Sequence, residues 1–233
     1  MKFILFDLDG TLIKSGRAGA RALDYAILHM TGKADVCSKI DLHGTTDKVN
    51  FANAYREAAG MEPSEEHIKE ITYRYLARLP HEIEWSVKNG LYSKINGIEE
   101  FLKTLSERKD VLVGMGTGNV ERGAFIKLGP AGLGRYFPYG GYGEDAHDRA
   151  KMLKIGVQRG CFLADLKPDD VEVYIIGDTH KDINAAKAAG YHSAVVTSGF
   201  GDPEKIKEAG PEFMQTDFTS IKAWFGWLGL ECI

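Results

Sequence analysis

Short apolar runs alternate with helical stretches along most of the chain, and this order constrains the fold more than any other feature. The first run, Phe3 to Phe6, is continuously apolar, as in a strand that is buried on both faces of a sheet. Alternation of this kind predicts an α/β fold with a doubly wound, Rossmann-like parallel sheet and right-handed crossovers. The further strand-like runs are 111–119, 171–179 and 193–199, and the helical stretches between them are 97–109, 149–161 and 182–190.

Polar residues stand where the first three strand-like runs end. Asp7 and Asp9 follow the first run, Thr117 and Gly118 end the second, and Asp178 ends the third. In doubly wound sheets, ligands bind beyond the carboxyl ends of the strands. We therefore expect these side chains to meet in one cleft.

The alternation is interrupted directly after the first strand. Residues 13–91 have helical patterns and no convincing strand, and Ser64 has the character of a helix N-cap. We interpret this segment as a small inserted α-helical cap domain. The core domain would then consist of residues 1–12 and 92–233.

The net charge of −4 and the pI near 6.0 indicate no basic field over the surface, so nucleic acid is not an expected partner. No segment approaches the roughly 18 apolar residues that a membrane span needs. The aromatic tail, Ile221 to Leu230, has no basic face, which favours a last helix docked on the core over membrane contact. We expect no membrane partner.

The cysteines and histidines show no metal-ligand spacing. Cys37, Cys161 and Cys232 are far apart and form no CxxC pair, and no signal-like segment opens the sequence. These features favour reduced thiols in a cytoplasmic protein. We expect His43, in the inserted segment, to be solvated or to cap a helix.

Four carboxylates belong to the expected cleft: Asp7, Asp9, Asp178 and Asp182. Gathered together they would repel one another and take up protons, and a hard divalent cation such as Mg²⁺ would remove this difficulty. Such a site suits phosphoryl transfer, in which one carboxylate attacks phosphorus and a second donates a proton to the leaving oxygen. Each acid alone could be a helix cap or a loop residue, but four at neighbouring strand ends favour the metal site.

The chain resembles the haloacid dehalogenase superfamily in four motifs. "DLDGTL" at 7–12, a strand ending in Thr117, a basic residue at the start of a helix, and "GDTHKD" at 177–182 follow in the order of that family. A helical insert directly after the first motif is similar to the C1 cap of the phosphoglycolate phosphatase and β-phosphoglucomutase branch. The resemblance runs from residue 3 to about residue 200 and implies a Rossmann-like core with that cap.

The resemblance also implies a role for each acid. Asp7 would be the nucleophile that forms an aspartyl phosphate, and Asp9 would act as general acid and then as general base. Mg²⁺ would be bound by the side chains of Asp7 and Asp178 and by the backbone carbonyl of Asp9. Asp182 would support this metal site, directly or through water.

The other two motifs would bind the phosphate. Thr117 corresponds to the hydroxyl of the second motif, and with the amide of Gly118 it would hold the phosphoryl oxygens. The third motif departs from the family pattern, because many relatives have Lys followed by Pro where this chain reads "GEDAHDRAKMLK". Arg149, at the mouth of the helix, is the preferred cation, and Lys151 is the alternative.

The cap would select the substrate. Arg17 follows the first motif, and "DLHGTTDK", 41–48, resembles the cap loop that faces the core site in this branch, which makes Thr45 and Thr46 candidates for substrate contact. The alternatives remain open at this point: Arg17 could be merely solvated. Thr45 or Thr46 could be a helix N-cap, with Asp47 interacting with the helix dipole.

Together these features predict a Mg²⁺-dependent phosphatase for a small phosphate monoester, with phosphoglycolate as the leading candidate. The alternatives with the same chemistry are a β-phosphoglucomutase, a nucleotidase and a pyrophosphatase. A non-catalytic relative that binds a phosphorylated ligand or a partner protein is less favoured, because binding alone has no need of Asp9. We expect a small phosphorylated metabolite as the partner, and a monomer or a homodimer.

Overall fold

The computed structural model describes residues 1–42 and 44–231, which form eight strands and nine α-helices. His43 and Cys232 lie outside the described residues, and so do the predictions made for them. The strands are β1 (Lys2–Phe6), β2 (Ile13–Lys14), β3 (Ser93–Lys94), β4 (Val111–Gly116), β5 (Gly140–Gly141), β6 (Glu172–Gly177), β7 (His192–Val196) and β8 (Phe213–Gln215). The helices are α1 (Ala18–Thr31), α2 (Asp47–Ala59), α3 (Glu65–Lys88), α4 (Ile98–Ser106), α5 (Glu121–Leu128), α6 (Arg149–Ala164), α7 (His180–Ala189), α8 (Pro203–Ala209) and α9 (Ile221–Leu228).

Six of the strands form one parallel sheet in the order β5-β4-β1-β6-β7-β8. β1 pairs with β4 on one side and β6 on the other, and Phe3 to Phe6 have no exposed surface. Helices connect successive strands of this sheet, which confirms the predicted doubly wound α/β fold. The chain leaves β1 toward β4 and returns on its other side as β6, so the carboxyl ends of these three strands are neighbours.

The sequence analysis missed the shortest strands. The edge strands β5 and β8 have two and three residues, and β2 pairs with β3 as a two-residue antiparallel ribbon. β2 lies within the segment 13–91, so the expectation of no strand there is wrong at this point. Two residues are too few to show the period-2 pattern on which strand prediction depends.

Helices α1, α2 and α3 pack against one another through an apolar cluster. Ser64 accepts a hydrogen bond from the backbone N–H of His67 and caps α3, as predicted. The cluster also contains Val120, which precedes α5, so these helices sit on the sheet-bearing part of the chain. The proposed domain boundaries at residues 12 and 92 stay a prediction. The buried members of the cluster include Ala22, Leu23, Ile27, Phe51, Ile71, Tyr75 and Leu79.

The aromatic tail docks on the core, as predicted. Trp224 and Phe225 of α9 are fully buried, and the Trp224 ring lies 5.0 Å from the ring of Phe218 and 5.6 Å from that of Phe101, centroid to centroid. No helix among residues 1–42 and 44–231 combines the length and apolarity needed to cross a bilayer. Cys37 and Cys161 are buried free thiols.

Candidate active site

The end of β1 delivers two aspartates to one cavity. The backbone N–H of Asp7 donates to the carbonyl of Ile176 at 2.9 Å, so the sheet ladder continues to Asp7. The chain then turns at Gly10, which has φ +86°. A Cβ on Gly10 would stand 2.1 Å from a carboxylate oxygen of Asp178, so neither the conformation nor the space admits a side chain. This turn lets Asp7 and Asp9 line the same cavity.

Three of the predicted metal ligands form a compact buried cluster. Carboxylate oxygens of Asp7, Asp178 and Asp182 lie within 4.8 Å of one another, and all three residues are buried. Burial, reinforced by the nearby charge of Asp182, raises the pKa of Asp7 and that of Asp178 above the usual carboxyl range. These carboxylates retain protons because too little positive charge lies nearby. A donor set of such oxygen atoms fits a hard divalent cation.

Asp178 is fixed by its surroundings. Its Oδ2 accepts a hydrogen bond from the backbone N–H of Phe200 at 2.6 Å, and the backbone of Gly199 lies so close that a Cβ there would be 2.4 Å from the same oxygen. The carboxylate is held at the carboxyl end of β6 by backbone groups rather than by a flexible partner. A ligand position defined in this way is preorganised for a cation.

Asp182 has two roles in the structure. Its Oδ2 accepts hydrogen bonds from the backbone N–H and the hydroxyl of Thr179, at 3.0 and 2.7 Å, and so caps α7. Its Oδ1 accepts from the guanidinium of Arg149. The helix-capping role, which was the alternative interpretation of Asp182, is therefore present, and the residue also belongs to the acidic cluster.

Arg149, and not Lys151, lies in the cleft. Its Nη2 is 3.7 Å from Oδ1 of Asp7, and its guanidinium is nearly buried. Its Nε is buried and has no hydrogen-bond partner among the described residues, so the group retains a donor for an anion. Lys151 is exposed, and its backbone N–H donates to Asp148, the N-cap of α6.

The second motif forms a narrow junction with the cap. Thr117 is fully buried, and its hydroxyl accepts a hydrogen bond from the side-chain amide of Asn119 at 2.9 Å. Gly118 lines the cavity, and a Cβ on it would lie 2.3 Å from the carbonyl oxygen of Thr45 and 3.0 Å from Nη1 of Arg149. Only glycine fits where the cap loop and the guanidinium converge. Thr117 itself is not among the described residues that line the cavity.

The three predicted cap residues have different positions. Arg17 is exposed, begins α1 with a φ of +62°, and lines the cavity, and its predicted substrate contact stays a prediction. Thr45 also lines the cavity, and its hydroxyl donates to Asn50 at 2.6 Å. Thr46 is buried and caps α2, which confirms the N-cap alternative for this residue. It is not among the described cavity-lining residues.

Sequence reasoning missed a lysine in the same cavity. Lys127 of α5 is buried, and its ammonium donates to Oδ2 of Asp9 at 2.5 Å and to the side-chain oxygen of Asn119 at 2.6 Å. A lysine inside a helix is ordinarily solvated, which is why the pattern gave no warning. The available signal was that Lys127 stands between Ile126 and Leu128 in an otherwise apolar stretch.

The lysine gives Asp9 an environment unlike that of Asp7. Burial opposes the charge of Lys127, but Asp9 and Asp47 outweigh it and raise the pKa of the lysine. Burial also opposes the charge of Asp9 and by itself would raise the pKa of this carboxyl. Lys127, together with hydrogen bonds from Asn119 and Ser15, outweighs burial and lowers the pKa of Asp9. Asp9 is therefore an ionised, hydrogen-bonded carboxylate in the ligand-free cavity.

Asp47 connects the cap to the second motif. Its backbone N–H donates to the carbonyl of Gly118 at 2.6 Å, and its Oδ2 accepts from the backbone N–H of Val120 at 2.9 Å. Burial raises the pKa of Asp47 to about 6, against the opposing charge of Lys127. Besides the helix-dipole role considered for it, Asp47 therefore forms a latch, which is this pair of hydrogen bonds between α2 and the loop after β4.

The cavity has a volume of about 440 Å³ and lies between the cap helices and the carboxyl edge of the sheet. The acids Asp7, Asp9 and Asp178 and the bases Lys127 and Arg149 line its floor, and its cap side is mostly apolar apart from Arg17 and Asp47. That volume falls in the range of small-molecule sites and exceeds what a phosphate group alone requires. The cap-side lining includes Ala20, Leu23, Cys37, Ile40, Leu42, Phe51 and Tyr75.

A doubly wound sheet that gathers buried carboxylates and an arginine at its switch point suits phosphoryl transfer. The chain belongs to the haloacid dehalogenase-like hydrolase family, whose sequence profile matches residues 4–196 and so includes all four motifs.

Curated relatives define the class further. The chain is 27% identical to a phosphoglycolate phosphatase of Pectobacterium atrosepticum over 234 residues, covering 96% of this chain and 92% of that protein. It is also 27% identical to phosphoglycolate phosphatase 1 of Pseudomonas aeruginosa, over 90% of this chain and 74% of that protein. A hydrolase structure from Pseudomonas syringae matches in fold with a TM-score of 0.69 at 18% identity, over 97% of this chain and 98% of that one. The protein is a phosphatase of this family.

Proposed function

We propose that the protein is a Mg²⁺-dependent phosphatase that hydrolyses a small phosphate monoester through an aspartyl phosphate on Asp7. The observation that carries this proposal is the buried cluster of Asp7, Asp178 and Asp182 against Arg149, at the floor of a cavity that the cap covers. The names of the curated relatives make phosphoglycolate the leading candidate substrate.

The chain offers the donors that Mg²⁺ requires. The side chains of Asp7 and Asp178 and the backbone carbonyl of Asp9 would bind the ion, and Asp182 would support it. All are oxygen donors, which suit a hard cation. When bound, Mg²⁺ would neutralise charge on the phosphoryl group and keep these carboxylates ionised.

The reaction would proceed in two steps on the residues of this chain. In the first, Asp9 would take up a proton from solvent as the ester binds; an oxygen of Asp7 then attacks phosphorus while the ester bond breaks, and Asp9 gives that proton to the leaving oxygen. In the second, Asp9 accepts a proton from water as the water oxygen attacks the aspartyl phosphate, which releases inorganic phosphate and restores Asp7. Arg149 and the amide of Gly118, supported by Thr117, would hold the phosphoryl oxygens.

The proposal includes the partner and its surroundings. The ligand is a small phosphorylated metabolite rather than nucleic acid or a membrane surface, and the protein acts in the cytoplasm as a monomer or a homodimer. The net charge of −4 supports the first part, since no basic field is available for a polyanion. Arg149 and Lys127, on the cavity floor, supply positive charge locally.

The test is phosphate release from phosphoglycolate, sugar phosphates, nucleotides and pyrophosphate, with Mg²⁺ and after chelation. We expect turnover that needs the metal, ranks phosphoglycolate first and falls by roughly 10⁴-fold or more in Asp7→Asn. Asp169→Asn is the matched control, since Asp169 is an exposed acid. A nucleotide, a sugar phosphate or pyrophosphate at the head of the ranking would replace the substrate, and metal-independent turnover would overturn the mechanism. No turnover by the folded protein would favour a mutase or a binding protein.

A further inference from the structure

We propose that Lys127, which belongs to none of the four motifs, is a positioning residue for Asp9. Its ammonium would hold the Asp9 carboxylate in the orientation from which a proton reaches the leaving oxygen of the ester. The inference rests on the proposed function, because it concerns how Asp9 serves a leaving group.

Three hydrogen bonds form a closed triangle around one oxygen of Asp9. Lys127 Nζ donates to Asp9 Oδ2 at 2.5 Å, and the side-chain amide of Asn119 donates to the same oxygen at 3.1 Å. Lys127 Nζ also donates to the side-chain oxygen of Asn119 at 2.6 Å. Because each member is fixed by the other two, the carboxylate has little freedom to rotate.

The triangle leaves the other carboxylate oxygen for substrate. Ammonium and amide N–H groups are donors only, so they hold Oδ2 as an acceptor. Oδ1 of Asp9 accepts a hydrogen bond from the hydroxyl of Ser15 at 3.0 Å, and a hydroxyl can rotate to accept instead. Oδ1 is therefore the oxygen that can exchange its hydrogen-bond partner when an ester enters the cavity.

Lys127 is itself held in place. The hydroxyl of Tyr92 donates to its backbone carbonyl at 2.8 Å. Gly19 of α1 lies over the ammonium, where a Cβ would come within 3.3 Å of Nζ. Burying an ammonium costs free energy unless it is paired. Lys127 forms its ion pair with Asp9, a residue of the site, and not with an acid elsewhere in the fold. This placement is what a positioning role requires, and a purely structural ion pair predicts a different outcome in the following test.

The test compares how strongly the rate depends on the leaving group. A series of aryl phosphates, from p-nitrophenyl phosphate to phenyl phosphate, and phosphoglycolate would be assayed with wild type, Lys127→Met and Lys103→Met. Lys103 is an exposed lysine of α4 and serves as the matched control. The quantity to compare is kcat/KM, which covers only the steps up to departure of the leaving group.

We expect Lys127→Met to lose roughly 10²- to 10³-fold on phosphoglycolate, whose alkoxide needs a proton to leave, and no more than about tenfold on p-nitrophenyl phosphate. The plot against leaving-group pKa should become steeper, and Lys103→Met should follow wild type. Equal losses on all esters, or none, would overturn the positioning role.

A double-mutant cycle guards against misfolding, because Lys127→Met leaves Asp9 without its cation. In the Asp9→Asn background, where the charge to be paired is gone, Lys127→Met should change kcat/KM on phosphoglycolate by less than about threefold. Additive losses would contradict the inference.

The two proposals fail in different ways. Wild-type protein that hydrolyses none of the esters would end the proposed function. The crystal structure of Lys127→Met would still test the inference, because a carboxylate of Asp9 that remains in its wild-type orientation would show that Lys127 does not position it.

Discussion

Asp7 and Asp9 are two residues apart and line one cavity, yet their side chains have different partners, which define an acidic half around Asp7 and a balanced half around Asp9. The half around Asp7 gathers three buried carboxylates against the single guanidinium of Arg149. The half around Asp9 balances acid with base, through Lys127 and its hydrogen bonds. The pKa is raised for Asp7 and lowered for Asp9.

This contrast separates two tasks that a phosphatase of this family must perform. The uncompensated negative charge of the buried carboxylates favours the binding of a divalent cation, which would return Asp7 to its nucleophilic, ionised form. A balanced carboxylate can be oriented without a metal. Under the proposed function, an ester dianion that entered the cavity would raise the proton affinity of Asp9, because like charges favour its neutral form.

Among the variants that test this comparison, the largest loss of kcat/KM should come from Arg149, which is the only described basic residue within salt-bridge distance of the acidic cluster. Arg149→Ala should lower kcat/KM by roughly 10²- to 10³-fold, because it removes the donors that face Asp7 and the phosphoryl group. Lys151→Ala is the paired control and should change the rate by less than about twofold, since that side chain is exposed. Steady-state phosphate release measures both, and an undiminished rate in Arg149→Ala would break the comparison.

The sequence predicted the acidic half of the cavity better than the balanced half. Asp7 and Asp178 could be placed because each directly follows a buried strand, and parallel strands bring their carboxyl ends together. Lys127 could not, because its partner Asp9 is 118 positions away, and the apolar neighbours Ile126 and Leu128 do not by themselves identify a buried lysine. The cap loop was located, but the latch by Asp47 depends on the docking of α2 against Gly118, which local patterns do not encode.

The strands show the same limit. The central strand β1 was predicted because it is continuously apolar from Phe3 to Phe6, whereas β2 and β5 form only by pairing with partners far along the chain. Helix caps were among the alternatives for Asp182 and for Thr45 or Thr46, since capping depends on residues within one turn, and the structure shows caps at Asp182 and Thr46. Features that depend on neighbouring residues, such as helix caps, can be predicted from one sequence. Long-range pairing can be predicted only where the residues directly follow a buried strand.

A second prediction concerns the balanced half and its latch. The pKa of Asp47 is raised to about 6 in the folded protein, above the ordinary value near 3.9. The folded state therefore binds the proton more tightly than the unfolded chain does. Its stabilising contribution is complete below about pH 4 and is lost as the pH rises through 6, with a total of at most about 3 kcal/mol.

Asp47→Asn should remove this dependence while keeping the hydrogen bond from the N–H of Val120, because an amide oxygen accepts as a carboxylate does. The measurement is the free energy of unfolding by denaturant at pH 4, 5, 6 and 7 for both proteins. The free energy of unfolding of wild type, relative to that of Asp47→Asn, should decrease as the pH rises from about 4 through 6. Parallel curves would mean that the latch carries no proton, and the contrast would then rest on Lys127 alone.

The pH dependence of metal affinity tests the acidic half directly. Asp7 and Asp178 have raised pKa values without a cation, so they retain protons at a pH where ordinary carboxyls are ionised. A cation can bind only after those protons leave, and the affinity should therefore fall as the pH falls, by about tenfold per pH unit for each proton displaced. Calorimetry with Mg²⁺ between pH 5 and 8, in two buffers of different ionisation enthalpy, measures the affinity and counts the protons. Asp178→Asn should flatten the dependence, and Asp169→Asn should leave it unchanged. An affinity that stays constant from pH 8 to pH 5 would show that both acids are already ionised before the ion arrives, and the two halves of the cavity would then differ only in their hydrogen bonds.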